Sequence, residues 1–413
     1  MNVWLIKDGE TLPIQPDARR MRTWMLAEEL LRQGHQVTWW ASTHSHQRKQ
    51  LLFDGDREID VERGFRLKLM FAGAYGSNRS LSRLVHHSRL AVKFRRQARA
   101  LLQPDVIVSA FPTIELAFEA VTFAKPRGIP VIVDIRDPWP DIFLDLAPPV
   151  LRAALRIALR PLERKARASF QGSDSLVACS HGFLNWGLRK AKLARRPADR
   201  VFYLGKIRPA AKTPGESAAI GELGRELSGK VVFCFVGSFG HVYELGLVCE
   251  AAASLERQGN RQIQFILAGD GQQFEQIRAR VKTLGNVTVP GWLNASDANH
   301  LLAMSDVGLA PYRQMAGAVP NKVFDYSAAG LPILSSLEGE MAEKLAKHGA
   351  GLSYAPGDLQ TFVSHVKTLA AGLDLRRMMA QRSTAMFDQE FLAANIYPDY
   401  VRHVECIART RTH

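Results

Sequence analysis

Apolar and amphipathic stretches alternate along the first half of the chain. Short runs rich in Val, Ile and Leu predict strands at Asn2–Ile6, Gln36–Ala41, Asp105–Ser109, Pro130–Asp134 and Ser175–Ser180. Between them, apolar residues recurring every three or four positions predict helices over Arg19–Gln33, Ser80–Leu102, Ile114–Arg127 and Leu151–Phe170. Gly34 stands where the first helix needs a C-cap glycine. Strands separated by helices of this length imply βαβ units and a parallel sheet. The pattern thins over Tyr203–Gly221, where Gly, Pro, Lys and Ser accumulate, and then restarts. Strands follow at Val231–Val236, Gln262–Ala268, Val287–Val289, Asp306–Ala310 and Leu331–Ser335, with helices at Val242–Gln258, Gln272–Leu284, Ala295–Ala303 and Lys322–Ala329. The expected fold class is α/β, with two doubly wound domains whose ligands sit beyond the carboxyl ends of the strands. The expected divisions are 1–205, 206–386 and a C-terminal helix over 387–413, where Phe391, Ile396, Tyr400 and Val404 recur at helical spacing.

Composition agrees with this picture. A chain of 413 residues, 46% of them hydrophobic, is long for one core and can bury two. No apolar run reaches the length of a membrane span. The opening MNVWLIKDGE reads as a strand rather than a signal peptide, and the four cysteines lack metal-ligand spacing, so a cytoplasmic protein is expected. Charge changes the picture more. Residues 1–205 hold 33 Lys and Arg against 20 Asp and Glu, which accounts for +13 of the net +14. An excess confined to one half points to an anionic partner, either a membrane surface or a nucleic acid.

The candidate chemistry centres on PYRQMAGAVPNKVFDYSAAGLPILSS, residues 311–336. It reads as a loop, a short helix entered at Pro320-Asn321, and a buried strand. The amino end of such a helix offers unpaired N–H groups and a positive dipole end to a phosphate. Lys322 adds a charge in the first turn, and Asp325 lies on the same face to accept sugar hydroxyls. Gly237-Ser238-Phe239-Gly240 follows an apolar strand, and its glycines allow backbone N–H groups to approach a phosphate. The same glycines equally fit a plain tight turn, and Gly269-Asp270-Gly271, a similar strand-end turn, reads first as a plain β-turn before the helix. Asp54-Gly55-Asp56 lies in a hydrophilic turn, and no metal site is expected.

The string Pro320-Asn321-Lys322-Val323-Phe324-Asp325-Tyr326-Ser327-Ala328-Ala329-Gly330-Leu331-Pro332 resembles the nucleotide-sugar signature of glycosyltransferase family 4, retaining enzymes of the GT-B fold, and within it the WbuB-like branch. That resemblance implies two Rossmann-like domains facing a cleft, with the C-terminal helix crossing back onto the first. It places the donor pyrophosphate at Gly237–Gly240 and His241, and a strand-end turn at Gly269, Asp270 and Gly271. Gly291, Trp292 and Leu293 fall at the nucleobase edge, and Arg313, Gly317, Asn321, Lys322 and Asp325 also belong to the donor site. Ser238 replaces the family's Arg, no Lys follows before residue 282, and Gly317 replaces the first of the family's paired glutamates. Backbone N–H groups of Met315–Ala318 are then a substitute nest. Val133-Asp134-Ile135-Arg136-Asp137-Pro138-Trp139-Pro140-Asp141 resembles the branch's R-D-x-W-P element, which makes Arg136 and Asp137 acceptor candidates. Pro16–Arg22 stands where relatives have a Gly-rich loop; without the glycines, Arg19 or Arg22 would act electrostatically, and both join the acceptor candidates. Asp137, Lys322 and Asp325 are the candidate catalytic residues.

Arg79–Arg99 and Leu151–Phe170 interleave basic and apolar residues, as interfacial membrane helices do, and as core-facing helices with a solvated basic side do. No nucleic-acid motif or aromatic platform accompanies them. The expected function is transfer of a sugar from a UDP- or GDP-sugar to a lipid-linked or other saccharide in O-antigen or capsule synthesis. It would run without a cofactor, at the inner membrane's cytoplasmic face. A GT-B nucleotide-sugar epimerase and a non-catalytic nucleotide-sugar-binding subunit are the alternatives.

Overall fold

The computed structural model describes residues 1–16, 18–76, 81–145, 147–208, 217–313 and 319–410. The chain divides into two units, Met1–Tyr203 with Ala394–His413, and Leu204–Ala393.

The first unit is built on a sheet of strands β1 (Asn2–Ile6), β2 (Gln36–Ser42), β3 (Arg57–Glu62), β4 (Phe65–Met70), β5 (Val106–Phe111), β6 (Val131–Ile135), β7 (Ser175–Ala178) and β8 (Arg200–Val201). Their spatial order is β8-β7-β6-β5-β1-β2-β4-β3. All pairings are parallel except β3 with β4. The order reverses between β1 and β5, the crevice where doubly wound sheets take ligands. β5 and β6 are buried at every residue, so they read as continuous apolar runs. β3, REIDVE, is mostly exposed and charged, and for that reason its apolar signal is too weak to predict from the sequence pattern.

Helices α1 (Arg22–Arg32), α2 (Leu81–Ala98) and α3 (Ile114–Ala124) match expectation, apart from their first and last turns. The expected helix Leu151–Phe170 is instead two, α4 (Arg152–Ala158) and α5 (Arg160–Gly172), with Pro161 in the opening turn of the second. A further helix, α6 (His181–Ala191), begins with Ser180 accepting a bond from the Phe183 N–H.

The second unit repeats the plan with β9 (Val231–Val236), β10 (Ile263–Ala268), β11 (Val287–Gly291), β12 (Val307–Ala310), β13 (Ile333–Ser335) and β14 (Gly351–Ser353), ordered β11-β10-β9-β12-β13-β14 and wholly parallel. The reversal here lies between β9 and β12. Helix α7 (Leu245–Arg257) packs its apolar side on the core formed by Phe233, Phe235 and Phe265. Helix α8 (Asn321–Ala328) follows β12, and the last helix, α9 (Ala393–Arg409), falls almost wholly within the first unit. Both units are Rossmann-like.

Candidate functional site

In the second unit, α8 begins without a side-chain cap, since Pro320 at the N-cap supplies none. Its register is fixed from within. Tyr326 is fully buried, donates to the Leu309 carbonyl at 2.9 Å, and accepts from the Val236 N–H at 3.3 Å. It lies flat on β12 because Gly308 has no Cβ; one there would meet the ring at 2.4 Å. With Tyr326 pinned, Lys322 one turn earlier enters the turn after β9. Its ammonium donates to the Val236 carbonyl and sits 4.0 Å from the Phe235 ring centroid and 4.7 Å from that of Tyr243. Burial among these groups brings its pKa down to about 7, despite the opposing effect of Asp325. Lys322 is therefore not the solvated point charge that its place in the first turn suggests.

Gly237 admits this arrangement. Its φ is 146°, and a Cβ would stand 1.9 Å from the Lys322 Nζ. The next turn packs equally tightly, since a Cβ on Gly269 would lie 1.8 Å from the Gly237 carbonyl oxygen. Hydrogen bonds lock the turns together. The Phe239 N–H donates to the Asp270 carbonyl at 2.8 Å, the Gln273 N–H to the Phe239 carbonyl at 3.0 Å, and the Gly269 N–H to the Gly291 carbonyl at 2.7 Å. Phe239, expected at the donor, has its side chain fully buried against Phe235 and Phe274 and both backbone groups committed, so it holds the loop in shape. Ser238, His241, Asp270, Gly271, Arg313 and Asn321 are exposed around the same strand ends, while Gly240 and Leu293 are half-buried. Trp292, which packing could have absorbed, is 73% exposed. Gly317 and the Met315–Ala318 nest lie outside the described residues.

Asp325 forms an ion pair with Lys206, whose own backbone bonds to Phe391 and Ala393. Lys206 carries no motif, and spatial proximity across 119 residues is its only signal. Gln273, which donates to the Gly240 carbonyl at 2.6 Å, was equally silent.

The first unit treats its candidates differently. Arg22 opens α1 with its side chain only 2% exposed. It holds Asp134 through two bonds of 2.8 and 3.0 Å, and donates to the Phe202 and Tyr203 carbonyls, both at 2.8 Å. Arg136 reaches Asp134 as well and is paired with Glu10. Burial alone would raise the Asp134 pKa, yet the two guanidinium groups hold it at about 2. Arg22 and Arg136, expected as acceptor ligands, thus serve as a buried frame tying α1 to the end of β6. Arg19 is exposed. Asp137 is exposed at the surface, although protein atoms crowd its inner side and push its pKa up; Lys7, Arg136 and Arg83 oppose that rise.

Around the same strand ends stand groups the motifs did not flag. Lys7 donates to the Pro112 carbonyl at 3.3 Å across the β1–β5 reversal, and buried Asp8 accepts from the Ser42 N–H at 3.1 Å and faces His86 at 3.5 Å. The His44 and Tyr75 rings lie with centroids 4.2 Å apart, tilted by 48°. The clustered histidines at 44, 46, 86 and 87 were the available signal. Among the described residues no group of three or more His, Cys, Asp or Glu is arranged to hold a metal ion.

Two family models match, and together they account for most of the chain. Residues 20–205 match the glycosyl transferase 4-like domain, and residues 230–371 match glycosyl transferases group 1. The chain is a glycosyltransferase. No curated protein matches this glycosyltransferase at a significant level. Solved structures share its whole architecture at low identity. HepE from Anabaena, crystallised with UDP and glucose, is 15% identical with a TM-score of 0.67, over 98% of this chain and 100% of that one. Sucrose-phosphate synthase from Thermosynechococcus elongatus is 14% identical with a TM-score of 0.75, over 98% of each chain. WaaG, described as involved in lipopolysaccharide biosynthesis, is 16% identical with a TM-score of 0.65, over 98% of this chain and 99% of that one. At such identity the likeness establishes the fold, which is GT-B.

Proposed function

We propose that this glycosyltransferase is a retaining family 4 enzyme of the WbuB-like branch, moving a hexose from a UDP- or GDP-sugar to a lipid-linked saccharide in bacterial surface polysaccharide synthesis. The observation that carries the proposal is the uncapped amino end of α8, with Lys322 folded over Gly237. A diphosphate arriving there meets the dipole end of the helix and the N–H groups of Asn321 and Lys322, the Val323 N–H being held by the Pro320 carbonyl at 3.1 Å. It also restores the charge that burial removes from Lys322, because a nearby anion favours the ammonium. The similar structures HepE, crystallised with UDP-glucose, and WaaG, involved in lipopolysaccharide biosynthesis, lend support of the same kind.

The sugar-bearing diphosphate carries its own base, the phosphate oxygen released as the glycosidic bond breaks, so the protein's task is to neutralise developing charge. Lys322 and the helix end do so without a metal in this reading. Asp325 then accepts ribose hydroxyls in exchange for, or alongside, Lys206, and Trp292 offers its open face to the base. Asp137 orients the acceptor hydroxyl. The enzyme works at the cytoplasmic face of the inner membrane, drawn there by the basic charge of its first half.

Removing one transition-state contact of this type costs about 3 kcal/mol. Lys322→Ala should therefore lower turnover by roughly a hundredfold or more while the fold is kept. An unchanged rate removes Lys322 from the mechanism. The donor itself is found by thermal shift with a panel of nucleotide sugars, where saturation at a hundred times Kd adds about 2.7 kcal/mol. A flat response to every UDP- and GDP-sugar contradicts the donor assignment.

A further inference from the structure

The segment Pro149–Arg167 differs from the other basic stretch. In α2 the apolar residues Leu90, Ala91, Phe94 and Ala98 are buried, and Lys93 and Arg95 pair with Asp56 and Glu119. That helix is a core helix whose charged outer side also carries the exposed Val85 and Val92, with its larger apolar residues turned inward. In the later segment Val150 is 86% exposed, Leu151 56% and Ile157 60%, and Ala153, Ala154 and Ala158 are exposed beside them. Apolar residues at 150, 154 and 157 follow helical spacing, and Arg152, Arg156, Arg160 and Arg164 recur every fourth position next to them.

These arginines border a hollow of about 570 Å³ lined by Asp141, Leu144, Arg156, Arg160, Glu163, Arg164, Arg167 and Lys190. Lys190 takes both carboxylates, Asp141 at 2.6 Å and Glu163 at 2.9 Å. Arg156, Arg160 and Arg164 have no carboxylate partner among the described residues. The hollow leaves five cations against two acids beside large exposed aliphatic residues, and an exposed apolar patch rimmed by charge marks an interaction site. Its chemistry is complementary to a surface that is anionic outside and hydrocarbon just beneath.

We infer that Val150–Arg167 is the membrane-docking element of this protein, with Val150, Leu151 and Ile157 entering the acyl boundary and Arg156, Arg160 and Arg164 binding anionic phospholipid headgroups in the adjoining hollow. It gives the membrane association proposed above a definite place on the chain, and it stands on exposure and charge rather than on donor chemistry. An interfacial helix of this kind lies in the headgroup plane, and each Arg near an anionic surface contributes to binding independently of the apolar insertion.

The test is sedimentation of the full chain with vesicles of equal parts phosphatidylglycerol and phosphatidylcholine, against phosphatidylcholine alone. The wild type should bind the anionic vesicles and release them as salt is raised. Exchanging Arg156, Arg160 and Arg164 for Glu should weaken binding by roughly a hundredfold or more. Val150→Glu with Leu151→Glu and Ile157→Glu should abolish the part that survives high salt. All six residues are exposed, so melting temperatures should stay as in the wild type. A nucleotide sugar that stabilises the wild type should stabilise the sixfold variant equally, which separates loss of docking from failure of the donor reading. Undiminished vesicle binding by the sixfold variant overturns the proposal. So does a wild type that ignores vesicles but forms a dimer dispersed by the apolar exchanges, because a second copy then covers the face.

Discussion

Each Rossmann-like unit buries one cation in the first turn of a helix at its strand ends, and the two cations have opposite fates. Arg22 opens α1 and Lys322 lies in the opening turn of α8. Arg22 spends its guanidinium on the Asp134 carboxylate and two carbonyls, and although burial opposes its charge, Asp134 outweighs burial and raises its pKa. Lys322 has one carbonyl and two ring faces, and burial wins. What separates them is a carboxylate in contact. With one, a buried cation becomes permanent framework; without one, it is left able to take up charge when an anion arrives.

The largest expected effect comes from breaking the framework side of this pair. Arg22→Met leaves Asp134 buried with only Arg136 to answer it, and removal of one partner from a buried ion pair costs about 3–5 kcal/mol. Denaturant unfolding should show that loss in the first unit's transition. Lys322→Met should leave stability at or above the wild-type value, because no carboxylate is stranded with it. Equal destabilisation by the two exchanges would erase the distinction.

A smaller effect probes the open side. Gly237→Ala forces a side chain into a backbone conformation that costs about 1–3 kcal/mol, and it drives a methyl into the space of the Lys322 ammonium. Gly229→Ala is the control, with a φ of 75° and nothing within 4 Å of its new Cβ. Both variants should melt lower, but only Gly237→Ala should lose the thermal shift produced by a nucleotide sugar. A retained shift in Gly237→Ala means that the Lys322 position is dispensable for binding.

Much of this architecture was visible in the chain itself, for identifiable reasons. Strands buried on both faces, such as VIVSAF and VVFCFV, announce themselves by composition, and the short helix at Asn321 is framed by Pro320 and Gly330. Lys322 and Asp325 could be chosen because their relation is local. Roles that depend on distant partners could not be read. The Arg22–Asp134 pair spans 112 residues, so an arginine resembling a phosphate ligand turned out to be a buried strut. The Arg136 and Phe239 assignments changed for the same reason, and Lys206 was missed because nothing near it in sequence hints at Asp325. Amphipathic basic helices were legible as a class, but only burial distinguishes α2, whose Leu90, Ala91, Phe94 and Ala98 are buried despite an exposed Val85 and Val92, from Val150–Ile157, whose Val150, Leu151 and Ile157 are all bare.

The finest test of the contrast is a count of protons. With a pKa near 7, Lys322 is mostly neutral at pH 8 in the unliganded protein, whereas the same lysine in an unfolded chain keeps its proton to about 10.5. Between those values the unfolded state binds more protons, so stability should rise with pH, by up to about 1.4 kcal/mol per pH unit from this residue. The rise should be absent in Lys322→Met, and the gap between the two curves isolates the residue from all others that titrate. A bound diphosphate reverses the balance by favouring the ammonium. The phosphates of a nucleotide sugar have no group titrating near neutrality, so proton uptake on binding reports the protein. Calorimetry near pH 8 in buffers of differing ionisation enthalpy should find about one proton taken up per donor bound, and none in Lys322→Met. Binding without uptake in the wild type would mean that the diphosphate does not reach Lys322, and the open cation would then be as structural as Arg22.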